Sequence, residues 1–173
     1  MLKEDNIKKE LSAFALNVIS ESKRNLRNKT TTRKLKESLG FDIKVSKNSF
    51  QLNISMEDYG KYQDKGVSGI KRKYNTPFSY KSKGGKRGLK GMPPPSKFDK
   101  WTVRKGIAAR DEKGRFLTRK QTNFLIAKSV FEKGIKPSFF FTRPFKKYFR
   151  RLPEQLTEKY ALDVENFLEF TLK

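Results

Sequence analysis

The sequence predicts an α+β fold: an N-terminal helix and an amphipathic β-hairpin sheet packed with C-terminal helices. Three observations carry that expectation. Apolar residues recur at helical spacing from Ile7 to Ile19, alternate with polar residues from Phe41 to Met56, and return to helical spacing in the last third of the chain. Between these segments, residues 68–97 run for thirty positions without an acid, carry nine Lys/Arg and are rich in Gly and Pro. The expected organisation is one α+β domain over residues 1–173, with 68–97 an extended basic arm inserted in it. So polar a stretch buries too little apolar surface to offset its ordering entropy, which predicts that something outside the fold orders it.

Asp5 or Asn6 is placed to cap the first helix, whose stripe is Ile7, Leu11, Phe14, Ala15, Val18 and Ile19, before an interruption at Asn28-Lys29-Thr30. A shorter helix follows, with Thr31 or Thr32 as cap, Leu35 and Leu39 one turn apart, and Gly40 where a left-handed residue ends a helix. Phe41, Ile43 and Val45 then form one apolar strand face, Asn48-Ser49 turns the chain, and Phe50, Leu52, Ile54 and Met56 form the second. A lone hairpin is marginal in water, so the first helix is expected to cover it. Beyond the arm, Pro93-Pro94-Pro95 makes a stiff spacer, and Ser96 with Asp99 resembles a capping box for a short helix carrying Phe98, Trp101 and Thr102.

Asp111-Glu112-Lys113-Gly114 reads as a turn between short strands near Ile107–Ala109 and Arg115–Leu117. Thr118 and Gln121 form a second capping box for a helix that carries Phe124, Ala127, Val130 and Phe131 inward and stops at Gly134. Phe139-Phe140-Phe141 reads as a buried connection or strand. Thr142-Arg143-Pro144 opens a brief helix with Phe145, Tyr148, Phe149 and Leu152. Pro153 then restarts a long one whose stripe runs through Leu156, Tyr160, Val164, Phe167, Leu168 and Thr171.

The 173 residues suit one domain, but only 35% are hydrophobic and 34% are charged, so the core is thin and leans on fifteen Phe. Forty-one Lys/Arg against eighteen Asp/Glu give a net charge of +23, which predicts a polyanion or an acidic protein surface as partner. The last helix runs against that trend, with five acids and two bases from Glu154 onward. Absence of Cys removes disulfides, thiolate nucleophiles and Cys-type zinc sites; absence of His removes imidazole ligands and Ser-His or Cys-His catalysis. No signal-peptide-like run and no membrane span are seen, so the expectation is a product made in a cytoplasm, with no membrane partner.

Lys71, Arg72, Lys73, Tyr74, Phe78, Tyr80, Lys81, Lys83, Lys86, Arg87 and Lys90 interleave cations with aromatics, the combination that serves phosphate contact and base stacking. The same composition suits a loop that docks on an acidic neighbour. No base-reading motif accompanies it. Gly84-Gly85-Lys86-Arg87-Gly88 lacks the Walker spacing and its Lys-Ser/Thr ending, and reads as a flexible tip. Asp111-Glu112-Lys113, Glu57-Asp58 and Asp64 are the only carboxylates placed to suggest a magnesium nuclease, and they read as solvated turn residues. The expectation is therefore no enzyme, no catalytic or metal residue and no cofactor, with Trp101 a core anchor.

Asp58-Tyr59-Gly60-Lys61-Tyr62-Gln63-Asp64-Lys65-Gly66-Val67, directly after a hairpin, resembles the tail-completion or neck proteins of tailed bacteriophages. Gly134-Ile135-Lys136-Pro137-Ser138-Phe139-Phe140-Phe141-Thr142-Arg143-Pro144-Phe145 resembles that family's closing element, and Pro93 to Trp101 and Gly114-Arg115-Phe116 are similar to larger phage versions. Tyr59, Gly60, Tyr62, Gly66, Pro144 and Phe145 are the positions matched. Physically, Gly60 and Gly66 permit close approach or positive φ at a strand exit, and Tyr59 and Tyr62 are expected to pack back over the hairpin edge.

The resemblance implies a head-tail connector subunit in a homo-oligomeric ring, sixfold or twelvefold, at the head-tail junction of a virion. Such a ring joins portal and other neck or tail proteins around the DNA channel, with non-specific DNA contact possible; the arm is longer and more basic than compact members carry. The alternative from another class is a general nucleic-acid-binding protein using the arm on phosphates.

Overall fold

The computed structural model of the chain describes residues 5–27, 33–46, 49–84 and 88–171. It is an α+β structure, and contacts divide it into two compact units, residues 1–58 with 140–173 and residues 59–139. The inserted stretch 68–97 lies wholly inside the second unit, where composition suggested an arm leaving a single body.

The first unit opens with α1 (Asp5–Asn25), continues through α2 (Lys34–Glu37) and the strands β1 (Gly40–Ser46) and β2 (Ser49–Ser55), and closes with α6 (Thr142–Phe149) and α7 (Leu152–Thr171). Strand register is antiparallel from Gly40 opposite Ser55 to Ser46 opposite Ser49, so Phe41, Ile43, Leu52 and Ile54 share one face. The expected stripe of α1 is buried along its whole length, Ile7 to Ile19. One apolar cluster joins Ile19 to Leu26, Leu35, Leu39 and Phe140, with Phe41 and Met56 packed against it; a second joins Phe14, Val18 and Leu152, with Leu52, Phe145 and Leu156 against it. Helix α1 therefore covers the hairpin, as the marginal stability of a bare hairpin requires.

Polar links complete this unit. Asp163, buried on α7, accepts from Asn6 Nδ2 at 2.7 Å and from the Ile7 amide at 3.3 Å, placing a carboxylate at the amino end of α1. Glu21 accepts from Lys147 Nζ at 2.7 Å and Tyr148 OH at 2.8 Å. The Lys147 ammonium first, then the Tyr148 hydroxyl, holds the Glu21 carboxyl below its ordinary value. Asn25 Nδ2 donates to the Phe140 carbonyl at 3.4 Å.

Several expectations change here. Gly40 begins β1 rather than ending α2, whose last cap is Ser38. Thr31, Thr32, Asn28 to Thr30 and Asn48 lie outside the described residues, as do the side chains of Phe167, Leu168 and Thr171. Of the two alternatives for residues 139–141, the structure has the buried connection: Phe139 has φ +49° and Phe140 is fully buried. Pro144 is buried in the first turn of α6, and Phe145 meets Phe14 edge-on at 5.6 Å and stacks on Phe149 at 5.5 Å. Leu152 and Pro153 open α7, where the missing Pro amide costs nothing.

The second unit contains α3 (Gly60–Lys65), β3 (Val67–Ser68), a 3-10 turn at Pro95–Phe98 continuing into α4 (Asp99–Arg104), α5 (Arg119–Lys133) and β4 (Gly134–Ile135). Thr118 and Gln121 form the reciprocal capping box foreseen for α5, and Gly134 at φ +76° ends it. Ser96 makes no cap. Asp99 instead binds Arg119 Nε at 2.8 Å and Asn123 Nδ2 at 3.0 Å, while the buried Thr102 hydroxyl lies 2.8 Å from Asn123 Oδ1, so a polar network fastens α4 to α5. Trp101, expected as a core anchor, is 39% exposed and Phe124 is exposed, while the adjacent polar residues Thr102 and Asn123 are buried. The strands expected around 107–117 reduce to a single bridge, Arg110 with Phe116.

Candidate functional site

Three glycines shape the centre of the second unit. A Cβ on Gly66, at φ +74°, would come 2.6 Å from the Ile135 carbonyl oxygen and 2.7 Å from the Pro137 nitrogen. On Gly69 it would strike the Glu132 carbonyl, and on Gly134 the Val67 carbonyl. Bare backbone alone fits where β3 and β4 pair antiparallel, Val67 opposite Ile135 and Ser68 opposite Gly134. Ser138 and Phe139 then donate their amides to the Asp64 carbonyl at 3.1 and 2.9 Å, and Ser138 Oγ donates to the Gln63 carbonyl at 2.7 Å.

The described part of the basic stretch from Ser68 to Tyr80 is hydrogen-bonded to its own chain. Helix α5 ends with carbonyls that have no partner within the helix. The amide of Ile70 donates to the Phe131 carbonyl at 3.0 Å, and those of Lys71 and Arg72 to the Glu132 carbonyl at 2.9 and 3.2 Å. Buried Ser68 links further turns: its amide bonds the Phe78 carbonyl, its carbonyl the Tyr80 amide, and its hydroxyl both backbone groups of Tyr74. Backbone hydrogen bonds thus replace the apolar burial that the composition lacks.

The predicted contact residues separate in this frame. Lys71 pairs with Glu132 at 3.0 Å, Lys73 Nζ donates to the Gly69 carbonyl at 3.0 Å, and the Arg72 guanidinium lies 5.5 Å from the Tyr74 ring centre. Lys81, Lys83 and Lys90 are exposed, the last two joined by a 2.8 Å bond from the Lys83 amide to the Lys90 carbonyl. Lys86 and Arg87 lie outside the described residues. Of the motif positions, Tyr59, Gly60, Tyr62 and Gly66 belong to this unit, Pro144 and Phe145 to the other.

Tyr62 meets Phe78 at 4.5 Å between ring centres, and Tyr59, Tyr62, Phe78 and Tyr80 line an open groove of about 660 Å3 with Lys81 beside them. Tyr59 is 42% and Tyr62 39% exposed. Tyr80 is packed edge-on against Phe131 at 5.9 Å, and burial raises its hydroxyl pKa. Phe78 and Tyr80 are legible as aromatics of the basic stretch, whereas their pairing with Tyr59 and Tyr62 comes from the fold; its trace in the sequence is Tyr59 and Tyr62 three apart, set against Phe78 and Tyr80 two apart.

The charge around this groove is lopsided. Residues 59–139 hold 22 Lys/Arg and five Asp/Glu, a net +17, and the remaining 92 residues hold 19 and 13, a net +6. Three of those five acids are taken: Asp99 by Arg119, Glu132 by Lys71 and Asp111 by Arg115 at 2.9 Å. The backbone amide of Arg115 first, then its side chain and the Lys113 amide, holds the Asp111 carboxyl below its ordinary value, so this residue is a turn clasp. Asp64 is buried. Among the described residues no group of three or more acids stands close enough to hold a metal ion, and no helix is long and apolar enough to cross a membrane. Comparison with protein-family models, with curated proteins and with solved structures finds no match.

Proposed function

We propose that the chain is a non-enzymatic structural subunit of a tailed-phage virion, a head-tail connector or tail-completion protein. In this account copies close into a ring, sixfold or twelvefold, that joins portal and tail proteins around the DNA passage. One observation supports it above the others. The two segments that resemble the neck family are about seventy residues apart in sequence, yet Val67–Ser68 pairs with Gly134–Ile135 strand to strand, the Gln63 and Asp64 carbonyls accept bonds from Ser138 and Phe139, and Gly66 and Gly134 leave room for the backbones to pass. A shared motif whose halves form one contact is what a family-specific structural element requires.

The electrostatics agree with the same role. A unit with a net charge of +17 attracts phosphate without base readout, which suits a passage that DNA of any sequence must traverse. Ring closure also gives the two-stranded sheet β1-β2, open on both sides, a neighbour against which to cover its edges.

Sedimentation velocity of the purified chain, alone and mixed with a purified portal assembly, tests this. The expected result is a discrete sixfold or twelvefold species, or a stoichiometric portal complex. A chain that stays monomeric over the accessible concentration range and does not co-sediment with portal or tail assemblies contradicts it.

A further inference from the structure

We infer that the aromatic groove of the second unit is a stacking site for single-stranded nucleic acid. Three features meet there. The first is exposed aromatic surface at a position that folding does not need to expose: Tyr59 and Tyr62 are each about two-fifths accessible, while Phe78 and Tyr80 stand on the facing strand-like segment. Bases have two π-faces and stack on such rings whatever their sequence. The second is cationic: Lys81 borders the groove, and Lys61 Nζ stands over the Tyr62 ring, 5.3 Å from its centre. The third is the surrounding field, +17 over 81 residues, with Asp99, Asp111 and Glu132 already paired to bases of their own.

The polyanion that such a field attracts could be a duplex, a single strand or an acidic polypeptide, and the groove chooses among them. Duplex bases are stacked on one another and present no free face to a side chain. An acidic polypeptide offers charge without rings to insert. Only unpaired bases use both the tyrosines and the lysines. The two proposals fail separately: a ring that ignores oligonucleotides loses only the groove, and a monomer that binds them loses only the ring.

The test is fluorescence anisotropy with a labelled single strand of about 20 thymidines and a duplex of the same length. At equal salt the single strand is expected to bind more tightly. Replacing both Tyr59 and Tyr62 by Leu should weaken single-strand binding at least about fivefold, with little change for the duplex, while Tyr59→Phe with Tyr62→Phe retains the affinity. Lys81→Gln should lower the slope of log affinity against log salt by about 0.7. On the unaltered chain, a single strand carrying photoreactive uracil should cross-link within residues 59–81. Binding unchanged in the double Leu variant, cross-links confined to other segments, or displacement of the strand by polyglutamate at equal charge as readily as by unlabelled strand would each overturn the inference.

Discussion

The two units are held together by different means. Among the described residues the first buries twelve apolar side chains, Pro144 among them, from Ile7 to Leu152, and two polar ones, Ser22 and Asp163. The second buries three apolar side chains, Val67, Ala127 and Phe131, against five polar ones, Asp64, Ser68, Thr102, Thr122 and Asn123. Where the first unit has a hydrophobic core, the second has close-passing glycine backbone, helix-end carbonyls and side-chain hydrogen bonds. The difference explains how a segment of such low apolar content, with most of the chain's net charge, still has a defined shape. It also places the cost of charge repulsion on the unit least able to bear it, which is a physical reason for a polyanion to stabilise that unit.

The largest expected effect lies in the first unit. Phe140 is fully buried among Ile19, Leu26, Leu35 and Leu39, so Phe140→Ala should cost about 3–5 kcal/mol in denaturant unfolding, with amides of α1 and β1 losing exchange protection first. An effect below about 1 kcal/mol would show that this cluster is not the core. In the second unit the matching break is Gly134→Ala. Positive φ and the collision with the Val67 carbonyl predict a loss of at least about 1–3 kcal/mol, read as faster exchange at Ile70 and Lys71. Wild-type exchange there would mean that the glycine passage does not hold the unit.

Asp163→Ala sharpens the contrast, since the first unit also uses a buried polar group. Loss of the acceptor for Asn6 and Ile7 should cost about 1–2 kcal/mol, seen as fraying of the start of α1. The smallest effect is a pH dependence. Glu21 has a folded pKa below its unfolded value of about 4.3, so its stabilising contribution is complete above that value and fades as pH falls through the lower folded value. Comparing Glu21→Gln with wild type across acid pH should show a stability gap that closes in that window; a gap that widens on acidification contradicts the sign.

Legibility followed the same division. The α1 stripe, the Phe41–Ile54 alternation, the Thr118-Gln121 box and the Pro153 restart each encode structure in side-chain periodicity, and all appear where the pattern puts them. Residues 66–80 encode structure in what is missing. Gly66, Gly69 and Gly134 matter because there is no Cβ, and the orphan carbonyls of Phe131 and Glu132 are backbone groups that no composition displays. Trp101 and Phe124 misled for the reverse reason: hydrophobicity predicted burial, but on each helix the polar neighbour, Thr102 or Asn123, is the buried one, joined in a hydrogen-bond network with Asp99. The groove was half visible, since Lys81 and two of its rings stood in the basic stretch, while the fold that adds Tyr59, Tyr62 and Lys61 was not.

The most direct test of the central claim, that the glycine-stitched unit is the one whose charge is met from outside, is hydrogen exchange along the whole chain with and without DNA at low salt. The account predicts that added protection concentrates in residues 59–139, strongest around Val67 to Lys71 and Glu132 to Ile135, with little change in α1 and the β1-β2 hairpin. Protection that rises equally in both units, or only in the first, would contradict it.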